Sequence, residues 1–126
     1  MYKVEVAAKG EYHFNVKSKD SEMTVDVKGS AMTPPDTLLA SLGSCIGVYI
    51  RKYAEGAKLP LGEFTITVES DLGKESPYYF RRIAVSVDLK GAIADEKRRS
   101  ALLEFIKNCP VHNTLRNSPA VDIAIR

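Results

Sequence analysis

Apolar and polar residues alternate along much of the N-terminal part of the chain. Such alternation places the apolar side chains on one face of a β-strand, because successive side chains of a strand point to opposite sides. Turn residues separate three alternating runs, at Lys9-Gly10 and at Lys19-Asp20-Ser21. The pattern therefore predicts an antiparallel meander of three short strands over residues 2–6, 12–16 and 23–27.

The apolar period then lengthens to three or four residues, which is typical of a helix. Thr33 can cap this helix, Pro34 fits the first helical position, and Asp36 completes an approximate capping box. The predicted apolar stripe consists of Leu38, Leu42, Cys45, Tyr49 and Tyr53. Gly56 marks the predicted end, since glycine commonly follows the last helical residue.

Small side chains are frequent inside this predicted helix. They are Ala40, Ser41, Gly43, Ser44 and Gly47. A glycine within a helix costs about 1 kcal/mol relative to alanine, so a close neighbour has to offset that cost. Two neighbours remain open: a symmetry-related copy of the helix, or the sheet of the same chain.

Strand alternation resumes in the second half of the chain. It predicts a strand over residues 64–69, a loop over 71–77 and a longer strand over 78–89. A last strand is predicted from the alternating Val121, Ile123 and Ile125.

A second helix is predicted between the last two of these strands. It begins near Asp95 and ends or resets at Pro110, with a possible further helical turn over residues 111–116. Its apolar stripe is Ala101, Leu102, Phe105 and Ile106, with Cys109 next in phase. The order of elements predicts a single α+β domain over residues 1–126, in which a mostly antiparallel sheet wraps around two helices.

Composition narrows the classes of function. The chain has 126 residues, of which 44% are hydrophobic, and a net charge of +2 with both signs scattered. This charge distribution predicts no basic patch that would bind a nucleic acid or an anionic membrane. No run reaches the roughly 20 apolar residues that span a bilayer, and the start does not resemble a signal peptide. We therefore expect a soluble, cytoplasmic protein.

Cys45 and Cys109 are the main candidates for chemistry. In a reducing compartment they are free, metal-bound or redox-active rather than a permanent disulfide. Each lies on an apolar stripe and could be an inert buried residue. Both helices are expected to pack on one sheet, however, so the two sulfurs could meet. A thiolate beside a second thiol can be oxidised to a sulfenic acid and then resolved as a disulfide.

The local surroundings of the two cysteines differ. Cys45 lies about three turns into its helix, so a cation or hydrogen-bond donor from elsewhere would have to activate it. If Pro110 opens a new helical turn, free backbone N–H groups would face the sulfur of Cys109. A zinc site formed by these cysteines with His13 and His112 is formally possible. The spacing matches no compact zinc module, so no metal is predicted and His112 is interpreted as a surface or capping residue.

Two segments of the chain resemble known motifs. The segment from Thr33 to Cys45, TPPDTLLASLGSC, resembles the central-helix motif of the OsmC/Ohr family of osmotically inducible and organic hydroperoxide resistance proteins. The segment from Asn108 to Leu115, NCPVHNTL, is similar to the Cys-Pro-Val motif of the same family. The order of strands and helices agrees over essentially the whole chain.

The resemblance implies an OsmC-like fold, an intertwined homodimer with paired central helices, and a cysteine-based peroxidase. Cys45 would be the peroxidatic cysteine, Cys109 the resolving cysteine and Asp36 the acidic partner. The implied substrate is an organic hydroperoxide or hydrogen peroxide, and a lipoyl-type or thioredoxin-type dithiol would reopen the disulfide. No cofactor is implied.

The sequence departs from the family pattern at two places. The peroxidases of the family carry an arginine in the N-terminal strands, whereas the first arginine here is Arg51. Lys9 or Lys17 would have to replace that arginine, although an ammonium group cannot form the paired hydrogen bonds of a guanidinium. The acidic partner is usually glutamate, and Asp36 is one methylene shorter. An alternative function is therefore a non-enzymatic, dimeric binding or redox-sensing protein with the same fold.

Overall fold

Three strands open the chain and pair in sequence order. In the computed structural model, which describes residues 1–126, they are β1 (Glu5–Gly10), β2 (His13–Ser18) and β3 (Ser21–Asp26). Both pairings are antiparallel, so the predicted meander is confirmed. The first strand lies slightly later in the chain than predicted, since residues 2–4 are outside it.

The chain divides into two compact units, residues 1–40 and residues 41–126. The boundary falls inside the long helix α1 (Pro34–Gly56), which has the predicted limits. The prediction of a single domain over residues 1–126 stays a prediction, and each unit is described by itself.

In the N-terminal unit, a buried carboxylate organises the turn after β3. Asp26 accepts a hydrogen bond of 2.8 Å from the backbone N–H of Lys28 and another from the hydroxyl of Ser30. The imidazole Nδ1 of His13 lies 3.7 Å from the same carboxylate. The Ser30 hydroxyl, followed by the Lys28 N–H, lowers the pKa of Asp26. His13 therefore takes part in a structural turn.

The start of α1 has the predicted capping box. The hydroxyl of Thr33 accepts from the backbone N–H of Asp36 at 3.3 Å, and the Asp36 carboxylate accepts from the backbone N–H of Thr33 at 3.3 Å. The Thr33 hydroxyl also donates to that carboxylate at 2.9 Å. These bonds satisfy N–H groups that have no partner within the helix.

The C-terminal unit contains an antiparallel pair of strands and two further helices. The strands are β4 (Thr65–Glu69) and β5 (Ala84–Asp88), and the helices are α2 (Glu96–Ile106) and α3 (Pro110–Asn117). Asp95 caps α2 through a 3.0 Å bond from the backbone N–H of Lys97. The buried core of this unit comprises Leu42, Ile46, Ile50, Leu89, Ile93, Leu102 and Cys109.

Two glycines of α1 are explained by packing within the chain. A Cβ added to Gly43 would lie 3.0 Å from a methyl group of Val68, and one added to Gly47 would lie 3.4 Å from the Cδ1 of Ile66. Both neighbours belong to β4. Of the two interpretations left open by the sequence, the sheet of the same chain accounts for these two positions.

The difference between these distances predicts opposite effects on stability. Gly47→Ala should raise the free energy of unfolding by up to about 1 kcal/mol, since alanine is the better helix former and the contact is ordinary. Gly43→Ala should lower it by about 1 kcal/mol, because the stiff Val68 side chain has to move. Urea denaturation of the two variants beside the wild type measures both values. Equal effects of the two substitutions would contradict this account of the packing.

The predicted strand over residues 78–89 is shorter in the structure. Only Ala84–Asp88 is strand, and before it Phe80 makes an isolated bridge to Leu72. The partner strand β4 has only five residues, so it cannot pair with the earlier part of the segment.

The prediction of a C-terminal strand is wrong for the chain by itself. Residues 118–126 have no strand pairing. Val121, Ile123 and Ile125 are 77%, 86% and 95% exposed. Alternation specifies the face of a strand, but it does not supply a neighbouring strand to pair with.

No helix of the chain is sufficiently long and apolar to cross a bilayer.

Candidate redox site

Cys45 lies in the middle of α1 and is half-buried. It packs against the buried core of the C-terminal unit. Tyr49, one turn later on the same face, packs against Phe105 of α2 with ring centroids 5.9 Å apart. Tyr53 packs on the other side of Phe105 at 5.7 Å. Cys45 is therefore a partly exposed residue beside an aromatic and aliphatic surface.

Cys109 lies between α2 and α3 and is completely buried. It is the N-cap of α3, and its sulfur accepts a hydrogen bond of 3.4 Å from the backbone N–H of His112. Pro110 occupies the first turn of α3. The hypothesis that Pro110 opens a new helix, with N–H groups facing the sulfur, is confirmed. The helix is also longer than the single turn expected.

The structure brings the two thiols together. Both are free, and Cys45 packs against the core cluster that contains Cys109, close enough to raise the pKa of the Cys109 thiol. Burial raises the pKa of Cys109, and the adjacent Cys45 thiol raises it further, while the N–H of His112 acts in the opposite direction. The net direction is upward from the ordinary thiol value of 9.0. At neutral pH the buried sulfur therefore keeps its proton.

This raised pKa predicts a pH-dependent stability. Between 9.0 and the higher value in the folded chain, Cys109 is ionised when unfolded and protonated when folded. The stabilisation that protonated Cys109 contributes is therefore fully present below its ordinary pKa of 9.0. It is lost as the pH rises through the raised pKa of the folded chain. In urea denaturation with reductant, we expect the wild type to lose more stability between pH 7 and pH 10 than Cys109→Ser does. Equal losses would show that Cys109 ionises normally in the folded chain.

The other predicted site residues are not part of the thiol pair. Asp36 lies in the N-terminal unit, nine residues before Cys45 along the chain, and its carboxylate forms the capping box with Thr33. Lys9 and Lys17 are exposed on β1 and β2 of that unit. Their suggested catalytic roles stay predictions.

The first arginine of the chain has a structural partner. Arg51 donates to the carbonyl oxygens of Leu61 and Gly62, both at 2.6 Å, and its guanidinium lies 4.8 Å from the ring centroid of Phe64. It thereby holds the connection between α1 and β4. Lys52 lies on the same face of α1 as Cys45, two turns later, and its ammonium group is 4.9 Å from the ring centroid of Tyr49.

His112 was interpreted as a surface or capping residue, and the structure gives it a backbone contact with the sulfur of Cys109. It is partly buried, and its Nδ1 is buried with no hydrogen-bond partner. The Cys-x-x-His spacing contained the signal, because it places the histidine at the third position of a helix that Cys109 caps. The zinc arrangement considered above is not assembled, since no three His, Cys, Asp or Glu residues come close enough to hold a metal ion.

A comparison with family models matches residues 27–124 to the OsmC-like protein family. The chain belongs to the OsmC-like protein family. The matched range includes both cysteines, and the resemblance inferred from the two motifs is confirmed. Among curated proteins, none matches this OsmC-like protein.

Solved structures share the OsmC-like fold. An OsmC-like protein from Mycoplasma pneumoniae is 17% identical, with a TM-score of 0.80 over 93% of this chain and 88% of its own. An organic hydroperoxide resistance protein OsmC from Legionella pneumophila is 19% identical, with a TM-score of 0.65 over 93% of this chain and 90% of its own. An OsmC-like hydroperoxide resistance protein from Jannaschia sp. is 20% identical, with a TM-score of 0.63 over 98% of this chain and 89% of its own. The predicted α+β, OsmC-like fold is thus confirmed.

Proposed function

We propose that this OsmC-like protein is a thiol-dependent peroxidase that reduces organic hydroperoxides or hydrogen peroxide. The observation that carries the proposal is the proximity of a half-buried and a completely buried thiol, both free, in one core cluster. The printed names of the Legionella and Jannaschia relatives, which refer to hydroperoxide resistance, support the same chemistry.

Burial favours one division of labour between the two sulfurs. Cys45 keeps some exposed surface from which a peroxide would approach, whereas Cys109 has none. The raised pKa of Cys109 also keeps its sulfur protonated, which makes it a poor first nucleophile because the thiolate is the reactive form. Cys45 is therefore the peroxidatic cysteine of the proposal and Cys109 the resolving one.

The proposed cycle has three balanced steps. The Cys45 thiolate attacks the terminal oxygen of the hydroperoxide, the O–O bond breaks, and the alkoxide takes a proton to leave as an alcohol. The Cys109 sulfur then attacks the sulfenic sulfur of Cys45, forming the disulfide and releasing water. A lipoyl-type or thioredoxin-type dithiol reduces the disulfide and is itself oxidised to a disulfide. The cycle uses no metal or organic cofactor.

Counting turnovers tests the proposal against its alternative. Reduced protein is mixed with excess tert-butyl hydroperoxide and excess dihydrolipoate or reduced thioredoxin, and the peroxide remaining is measured. A peroxidase consumes many equivalents per chain. Consumption of one equivalent, followed by a stable disulfide, would indicate a redox-sensing protein, and no consumption above the protein-free rate would indicate a binding protein.

We also propose that the protein is a homodimer and that the C-terminal segment contributes to it. Val121, Ile123 and Ile125 alternate like a strand and are largely exposed in the single chain. Burying a large aliphatic side chain contributes about 1.5–3 kcal/mol. Burial of three such side chains against a strand of a second copy would therefore favour pairing.

Sedimentation over a range of concentrations tests this assembly. We expect the combined Val121→Ser, Ile123→Ser and Ile125→Ser variant to dissociate at concentrations about 10³-fold higher than the wild type, which corresponds to roughly 4 kcal/mol. Leu103→Ser is the matched control, because Leu103 is a 60% exposed leucine on α2. A monomeric wild type, or a triple variant that associates like the wild type, would refute the assignment.

A further inference from the structure

The helix α3 depends on a sulfur for its N-terminal cap. Pro110 has no N–H group, the N–H of Asn113 donates to the carbonyl oxygen of Cys109 at 3.0 Å, and the N–H of His112 donates to the Cys109 sulfur at 3.4 Å. The first N–H groups of a helix have no partner within it, so a cap that accepts from them stabilises the helix. The sulfur that the proposed cycle oxidises is therefore also a structural group of α3.

Few other contacts hold α3 in its helical form. The helix has eight residues, and none of them is fully buried. Val111 is its hydrophobic contact with the buried core. Isolated helices of this length are marginal in water, so their order in a protein comes mainly from packing and capping. Loss of the cap should therefore loosen α3 more than it would loosen a long helix with several buried residues such as α1.

Formation of a disulfide between Cys45 and Cys109 has to change the position of a sulfur. The two thiols are free, and unbonded sulfurs lie farther apart than bonded ones, so at least one of them moves when the bond forms. Cys45 is held in the middle of the 23-residue α1, with helical turns on both sides. Cys109 lies in the short connection between the end of α2 at Ile106 and the start of α3 at Pro110. The adjustment therefore falls mainly on Cys109.

We propose that disulfide formation removes the cap of α3 and thereby loosens residues 110–117, an inference that rests on the disulfide of the proposed function. The Cys45 side chain and the N–H of His112 cannot occupy the same position around the Cys109 sulfur, so movement of this sulfur towards Cys45 distorts its bond to that N–H. Hydrogen bonds weaken steeply as their distance and angle leave the preferred range. α3 is thus ordered in the dithiol state and loosened in the disulfide state.

The redox step balances with either of two oxidants. Each thiol loses a proton and the pair gives up two electrons, so that one S–S bond replaces two S–H bonds. A hydroperoxide accepts the electrons and protons in the proposed cycle, giving an alcohol and water. The diazene diamide accepts the same two electrons and two protons, giving a hydrazine, and it requires no peroxidase activity. Reduction by a dithiol restores both thiols and, with them, the cap.

Hydrogen exchange followed by mass spectrometry measures the order of α3 in both states. The full chain is compared in dithiothreitol and after oxidation by diamide, and peptides that cover residues 110–117 are analysed. We expect the amides of α3 to exchange about 10-fold faster in the disulfide state, an effect of the size expected for a lost helix cap. Peptides from β4 and β5 should exchange at equal rates in the two states and serve as the internal control.

Three substitutions separate the effect of the cap from that of the oxidant. Cys109→Ser keeps an acceptor at the cap and Cys109→Ala removes it, while neither variant can form the disulfide. We expect α3 of Cys109→Ser to exchange like the reduced wild type and α3 of Cys109→Ala to exchange about 10-fold faster, with diamide changing neither rate. Cys45→Ser should keep the slow exchange after diamide treatment, because its Cys109 has no thiol partner within the chain.

The outcomes separate this inference from the peroxidase proposal. Equal exchange of α3 in the dithiol and disulfide states, slow exchange in Cys109→Ala, or a thiol pair that diamide does not convert to a disulfide would overturn the inference. Faster exchange in the disulfide state and in Cys109→Ala, but not in Cys109→Ser, supports it, whether or not the wild type consumes peroxide. Absence of peroxide turnover in a chain whose α3 responds to diamide would instead refute the peroxidase proposal alone.

Discussion

Cys45→Ser should lose hydroperoxide consumption, with a fall of about 10³-fold or more relative to the wild type. A serine hydroxyl has the same shape, but it does not ionise near neutral pH and is a poor nucleophile towards an O–O bond. Cys45 is half-buried at the edge of the core, so the replacement should leave the fold intact. The measurement is peroxide remaining over time, with a dithiol as reductant.

A matched control comes from the other sulfur. Cys109→Ser changes the same atom type within the same unit, yet it should leave the first step intact, with stoichiometric peroxide consumption before any reductant is added. If Cys45→Ser continued to turn over peroxide at the wild-type rate, another group would be the nucleophile. The assignment of Cys45 would then be lost, while the fold and family would stand.

Cys109→Ser should convert a reversible oxidation into an irreversible one. Without the buried thiol, the sulfenic acid of Cys45 has no partner inside the chain and proceeds to sulfinic and sulfonic acids under excess peroxide. We expect the mass of Cys45 to increase by two or three oxygens under conditions in which the wild type forms only the disulfide. Dimedone, which traps sulfenic acids, should label this variant and label the wild type weakly.

The structure predicts that Cys109→Ser folds normally. Serine is among the preferred N-cap residues, and its hydroxyl can accept the same N–H of His112 that the sulfur accepts. Circular dichroism and urea denaturation check this point. A variant that is folded and oxidised only to the sulfenic acid, without further oxygen, would contradict a resolving role for Cys109.

Several secondary-structure elements could be predicted from residues that are close together in the sequence. The meander, the limits of α1, its capping box and the start of α2 all depend on residues a few positions apart, so they were predicted correctly. The segment after Pro110 was also correctly predicted as helical, because proline suits a helix start and not a helix interior.

Other features depend on contacts between distant segments. Gly43 and Gly47 could indicate a partner helix or a strand, and only the approach of β4 distinguishes the two. The C-terminal alternation predicted a strand that the single chain does not form, because a strand needs an edge with which to pair. Asp36 fits both a cap and a family carboxylate, and its observed bonds are those of a cap.

Local patterns along the chain thus establish most of the elements of this OsmC-like protein and its two candidate sulfurs, since periodicity and capping act over a few residues. Folding alone determines that the two cysteines lie close together in one core cluster, that Cys109 is the buried one, and that the Nδ1 of His112 lacks a partner. The physical reason is that proximity and burial arise from packing between segments some sixty residues apart, which no local pattern specifies.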